Sequence, residues 1–344
     1  MSQAPPVANT AELRRRIERL PRVPLAHLPT PLEELPRFSD AVGGPRVFIK
    51  RDDCTGLSMG GNKTRHNEFI AGHARELGAD TFVWGAGVQS NNCRQTAAMC
   101  AKLGLRCHLV LGRGCHDEEI QGNLLLDHLC GATVQIVDET IGPELDAKIA
   151  EVAAELQKQG CNTYCWDREI VKPRAAISYL LCLCEVVEQT AALGVEPSAL
   201  YVCSAGSTGV GLLLAKALLG VDYPVRNIAP IRWPWDGPED LANIAKATAE
   251  MLEDPLRIDP EQINYSEDFV GEDYGIPTPE GMEALALLAR TEGILLDPVY
   301  TAKAMAGLIA DARSGRLAKD EPVVFVHTGG TPALFAYRGA FDDL

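Results

Sequence analysis

The chain reads as an α/β protein of two lobes, each an open and mostly parallel sheet covered by helices, with a ligand cleft between them. Three observations predict this. From "RVFIKRDD" onward, strand-like runs alternate with helix-like runs. The strand runs, such as "TFVWGAG" and "ALYVC", are apolar on both faces, as strands buried in a parallel sheet must be. At 344 residues the chain is long enough for two hydrophobic cores.

The elements follow in order. "TAELRRRIERL" has helical spacing and leads into a Pro-rich connection, "PRVPLAHLPTPLEELPRF", and the short strand "RVFIKRDD". Then come helix "HNEFIAGHARELGA", strand "DTFVWGAG", helix "NNCRQTAAMCAKLGL" and strand "RCHLVLG". Helix "NLLLDHLCGA", strand "TVQIVD", helix "ELDAKIAEVAAELQKQG" and strand "NTYCW" complete the first series. A second series starts near Pro173 with the long helix "AAISYLLCLCEVVEQTAAL", strand "ALYVCSAGS", helix "VGLLLAKALLG" and strand "RNIAPIRW". A Pro/Asp/Glu-rich section from about Asp254 to Pro279 interrupts the rhythm. Helices "EGMEALALLARTEG" and "AKAMAGLIADARSG", strand "PVVFVHTGG" and a last helical stretch end the chain.

Composition limits the function. The formal net charge of -15 argues against nucleic acid and against an anionic membrane surface as partners. The first residues lack the apolar core of a secretory signal, and no apolar run reaches membrane-spanning length. The 11 cysteines fall in apparently regular elements without zinc-site spacing, so we expect reduced thiols, no metal and a cytoplasmic protein.

Four stretches and two tyrosine-bearing loops carry chemistry. In "SMGGNKTRHNEF", Lys63 follows two glycines at a helix start, where a ligand can approach the backbone. It is a surface lysine, a phosphate binder or an amine for covalent chemistry. Asn62, standing between Gly61 and Lys63, spoils the spacing of a nucleotide-hydrolase loop. "CSAGSTGVGLLL", starting at Cys203, places Ser204, Ala205, Gly206, Ser207, Thr208 and Gly209 between a strand and an apolar helix. That arrangement suits a lone phosphate, or is a plain strand-to-helix turn. "GAGVQSNNCRQTAA" offers Gln89, Ser90, Asn91 and Asn92 at a strand's carboxyl end, either for a substrate carboxylate or for helix capping. "VHTGGTPALFAY" puts Thr328 before paired glycines, and two loops present Tyr274 and Tyr300. Jointly these supply an amine, a phosphate cradle and a carboxylate pocket, the parts that pyridoxal 5'-phosphate and an amino-acid substrate need.

At this point a resemblance enters. "IKRDD.TGL...GGNKTR..EF", "QSN..RQTAA", "YGIPT.EG", "DPVYT.KAM.GLI" and "HTGGTPALFAY" occur in one order between about Pro24 and Tyr337. They resemble D-cysteine desulfhydrase and its relative 1-aminocyclopropane-1-carboxylate deaminase, in the fold type II, tryptophan synthase β-like group of pyridoxal-phosphate enzymes. The resemblance implies that Lys63 carries the cofactor as a Schiff base and that Asn91 faces its phenolic oxygen. It implies that Ala205, Gly206, Ser207 and Thr208 hold the phosphate and that Thr328 faces the pyridine nitrogen. Gln89, Ser90, Asn91 and Asn92 would bind the substrate, and Tyr274 and Tyr300 would flank its reacting carbons. We expect Lys63, Tyr300, Tyr274 and Ser90 to be the catalytic set. We expect residues 1–52 and 166–344 to form a large cofactor-binding domain, residues 53–165 a small domain carrying the "QSN" loop, and the protein to be a homodimer.

Two departures sharpen the reading. Asn92-Cys93 stands where the desulfhydrase-like motif has His-Val, so an imidazole is absent from the carboxylate pocket. Thr301 follows Tyr300, where the deaminases carry a glutamate for the pyridine nitrogen. Without that carboxylate the cofactor is a weaker electron sink, which suits β-elimination from a small amino acid better than cyclopropane opening. The deaminase reaction is the alternative. A phosphometabolite-binding α/β protein without chemistry is the reading from another class.

Overall fold

The computed structural model describes residues 9–114 and 119–341. The first elements are α1 (Thr10–Ile17), β1 (Leu32–Glu34), α2 (Pro36–Val42), β2 (Val47–Lys50), α3 (Asn62–Glu76) and β3 (Thr81–Gly87). Then come α4 (Asn91–Leu103), β4 (Arg106–Gly112), α5 (Gly122–Leu129), β5 (Thr133–Val137), α6 (Pro143–Lys158) and β6 (Thr163–Cys165). Next are α7 (Arg168–Leu193), β7 (Ala199–Cys203), α8 (Ser207–Leu219), β8 (Val225–Ile228), α9 (Gly237–Met251) and β9 (Tyr265–Ser266). The last are α10 (Pro279–Glu292), α11 (Thr301–Arg313), β10 (Val323–Val326) and α12 (Ala333–Ala336).

The strands make two sheets, a six-stranded one in the order β1-β2-β10-β7-β8-β9 and a four-stranded one in the order β5-β4-β3-β6. Every pairing is parallel except β1 with β2, where Leu32 faces Lys50. β7 shows why the sheet is parallel and covered. Leu200 and Val202 enter one core cluster, with α7 and α8, while Ala199, Tyr201 and Cys203 enter another, with α10 and α11. A strand apolar on both faces is stable only between helical layers. β3 repeats this in the smaller sheet, with Phe82 and Trp84 on one side and Val83 on the other.

Three expectations need correction. The Pro-rich connection holds β1 and the start of α2, whose Pro36 sits in the first turn, where its missing N–H costs nothing. α7 begins at Arg168 rather than after Pro173, because Asp167 caps it by accepting from the N–H groups of Glu169 and Ile170 and the helix runs through the proline. α9, capped by Asp236, follows the segment that carries Trp233 and Trp235, where no helix was expected. Among the described residues no helix is long and apolar enough to cross a membrane.

Candidate functional site

Lys63 lies in the first turn of α3, and three contacts hold that turn. Gln95 of α4 accepts from the Thr64 N–H at 2.6 Å and from its hydroxyl at 2.9 Å. Arg94, also on α4, donates to the carbonyl oxygens of Ser58 and Gly60. The N–H of Asn62 donates to the Thr328 carbonyl at 2.9 Å. Gly61 has φ +116, and a Cβ there would sit 2.7 Å from the Gln95 side-chain nitrogen. A Cβ on Gly329 would sit 2.6 Å from the Gly61 Cα. The "GGNK" and "HTGG" loops therefore meet main chain on main chain, a contact open only to glycine.

Lys63 opens into a cavity of about 590 Å³ at the carboxyl ends of β3 and β7, between the two sheets. Its amine has no hydrogen-bond partner among the described residues. Burial pushes it down to about 8, so about a tenth of it is neutral near pH 7. A neutral amine is the form that attacks a carbonyl or removes a proton.

Ala205, Gly206, Ser207 and Thr208 line the same cavity where β7 passes into α8. Ser204 shapes this turn, its hydroxyl oxygen accepting from the N–H of Gly206 at 3.2 Å and of Gly209 at 2.8 Å. The first-turn N–H groups of α8 have no acceptor within the helix and suit an anion. Thr208 is fixed by Asn62, whose amide donates to its hydroxyl at 3.0 Å, and by His66 at 3.2 Å. His66 is held well below the usual imidazole range by burial and then by the neighbouring Lys63 and Arg65 charges, so it acts as a neutral partner.

On the opposite wall Ser90, Asn91 and Asn92 line the cavity at the start of α4. The Ser90 hydroxyl oxygen accepts from the N–H groups of Asn92 and Cys93, at 3.1 and 3.2 Å. It is a helix cap that keeps one hydrogen for a ligand, a geometry unlike that of a proton acceptor. Asn123 donates to Asn91 Oδ1 at 3.0 Å, which turns the Asn91 amide nitrogen into the half left for a ligand. Gln89 does not join this group. Its side chain accepts from the Asn123 N–H at 2.8 Å and donates to the Gln121 carbonyl at 3.2 Å, away from the cavity lining.

Tyr274, Tyr300 and Thr328 complete the lining. The two tyrosine hydroxyls share a hydrogen bond, with ring planes at 69°. Burial, followed by Tyr274, pushes the Tyr300 phenol well above its usual range, so it stays protonated. Thr301 turns away and donates to Asp297 at 2.7 Å. Asp297 also accepts from the N–H groups of Val299, Tyr300 and Thr301 and is fully buried outside the cavity lining. The loop thus brings a phenol, and no carboxylate, to the cavity.

Sequence reasoning missed part of the lining: Asp146, Trp166, Arg168, Lys172, Trp233, Trp235 and Asp240. Arg168 and Lys172 went unseen because the helix was expected to start after Pro173. The signal that could have placed them is the cap, Asp167, ahead of "REIVK".

With this geometry in place, comparison with known proteins is informative. The family model described as "Pyridoxal-phosphate dependent enzyme" matches residues 23–329. A solved structure described as an ACC deaminase homologue is similar at 33% identity and a TM-score of 0.87, covering 95% of this chain and 97% of that one. The processed form of threonine deaminase isoform 2 from Solanum lycopersicum shares the fold at 16% identity and a TM-score of 0.65, over 96% of this chain and 87% of that one. Diaminopropionate ammonia lyase from Escherichia coli does so at 16% and 0.66, over 98% and 94%.

Proposed function

Because the chain belongs to the pyridoxal-phosphate dependent enzymes and has pyridoxal 5'-phosphate as its cofactor, we propose that it is a lyase that β-eliminates a leaving group from a small amino acid. The products are a 2-oxo acid and ammonia. The residues present fit the cofactor. Lys63 offers a half-buried, unpaired amine, the turn at Ala205 to Thr208 offers anion-binding N–H groups, and Asn91 and Thr328 offer side-chain donors on the same cavity. When bound, the cofactor withdraws electrons from the substrate's α-carbon and so makes its proton acidic.

The residues of the chain do the rest. The start of α4, with Ser90, Asn91 and Asn92, receives the substrate carboxylate. Lys63, whose neutral form desolvation makes accessible, removes the proton from the α-carbon. Tyr300, kept protonated and oriented by Tyr274, donates its proton to the departing group. The observation that carries this reading is the pairing of a depressed amine with an elevated phenol on one cavity. Their displacements in opposite directions support Lys63 as the base and Tyr300 as the acid. Tyr300→Phe is expected to lower kcat by roughly 100-fold for a poor leaving group and less for a good one. An equal loss for both would remove Tyr300 from that role.

Ring opening of 1-aminocyclopropane-1-carboxylate is the second reading, favoured by the similarity to a structure described as an ACC deaminase homologue. Against it stands Thr301, bonded to Asp297 and offering no carboxylate. The deciding experiment supplies D- and L-amino acids with β-leaving groups beside 1-aminocyclopropane-1-carboxylate and measures 2-oxo acid release. Pyruvate from a β-substituted substrate supports elimination, and 2-oxobutanoate from the cyclopropane alone transfers the assignment to the second reading. No 2-oxo acid from any of them leaves a ligand-binding protein.

A further inference from the structure

The cavity contains a second amine that the proposed reaction does not use. Lys172 projects from the beginning of α7, its side chain 11% exposed, and makes no hydrogen bond among the described residues. Its nearest carboxylate, Asp240, is 3.7 Å away, and its ammonium lies 5.8 Å from the centre of the Trp233 ring. Asp240 is shared, since Arg168 donates to it while stacking 4.6 Å from the Trp235 ring. Trp233 and Trp235 stack on each other at 4.8 Å with planes 9° apart, so one aromatic wall carries both cations. A Cβ built on Gly206 would meet Lys172 Nζ at 3.7 Å, which puts this ammonium over the turn at Ala205 to Thr208.

We propose that Lys172 binds the cofactor's phosphate, its amine lying over that turn with Asp240 as its shared counter-charge. The argument is one of charge and geometry. The turn itself supplies neutral donors from main chain and hydroxyls, whereas a phosphate monoester at neutral pH carries close to two negative charges. A buried anion needs a charged partner or a dense set of donors. Asp240, already held by Arg168, leaves Lys172 short of a full counter-charge. The long aliphatic stem is buried and its head emerges beside Gly206 of that turn. Burial pushes the amine down to about 8 against the opposing pull of Asp240, and a neighbouring dianion would restore its charge.

The test uses cofactor-stripped wild type, K172Q and K172R. Each is titrated with pyridoxal 5'-phosphate and, separately, with pyridoxal, which lacks the phosphate. K172Q is expected to bind pyridoxal 5'-phosphate roughly 10- to 100-fold more weakly, the range for a lost hydrogen bond to a charged group. It should bind pyridoxal as wild type does, and K172R should retain most of the affinity. Equal weakening for both ligands overturns the proposal. So does an unchanged affinity for pyridoxal 5'-phosphate. Should K172Q fail to fold, the phosphorus resonance of wild-type holoenzyme decides. A phosphate that stays dianionic well below the free value of about 6 supports the contact, and one that titrates near 6 overturns it. None of these readouts requires a substrate, so the elimination reading and this one fail independently.

Discussion

Lys63→Ala is expected to reduce turnover by at least about 1,000-fold, because the substitution removes both the cofactor's attachment point and the base. The side chain makes no hydrogen bond among the described residues and holds no ion pair, so its truncation should leave folding intact. Borohydride treatment of wild type, followed by mass spectrometry, should label the peptide containing Lys63 and no other. The variant should lose that label and its visible absorbance while its thermal unfolding changes little. A label found on Lys172 instead would exchange the roles of the two amines and undo both assignments made above.

Arg65→Met is expected to destabilise the fold by about 3–5 kcal/mol, the usual consequence of removing one member of a buried ionic network. Arg65 is 1% exposed and donates to Asp52 at 2.9 Å and to Glu185 at 2.7 and 2.8 Å. Lys50 meets the same Glu185 oxygen at 2.7 Å, and Tyr179 donates to Asp52 at 2.6 Å. Burial alone would raise the Asp52 carboxyl, but the charge and hydrogen bonds of Arg65 outweigh it and hold the group below the usual range. Without the guanidinium, two carboxylates share one ammonium. The sign of the pH dependence follows. A carboxyl with a depressed folded pKa contributes stability above its unfolded value, about 4, and loses it as pH falls. The gap between wild type and variant should therefore be widest near neutrality and narrow in acid. Chemical unfolding at several pH values measures it, and a gap independent of pH would refute the ionic account.

Much of this was legible in the sequence because apolar periodicity and glycine placement are local signals. "RCHLVLG" coincides with β4, and "GGNK", "QSN" and "AGST" mark turns that the fold gathers around one cavity. What escaped was long-range. α3 buries Arg65, His66, Asn67 and Glu68 in succession, which no amphipathic pattern indicates, since each is satisfied or enclosed by distant elements. The amide of Gln89 is claimed by residues 121 and 123, a pairing that only the tertiary fold creates. Pro173 read as a boundary because proline usually ends or begins a helix. Here Asp167 starts it earlier, and that shift brings Arg168 and Lys172 to the site.

The meeting of Gly61 with Gly329 limits how this enzyme can change. Pockets walled by side chains drift by single methyl groups, widening or narrowing as selection acts. Here the separation between the amine and the threonine loop is set by two bare backbones, so substitution can abolish that spacing but has no means of adjusting it. New specificities must therefore arise on the far walls, among the tryptophans, tyrosines and the capped start of α4.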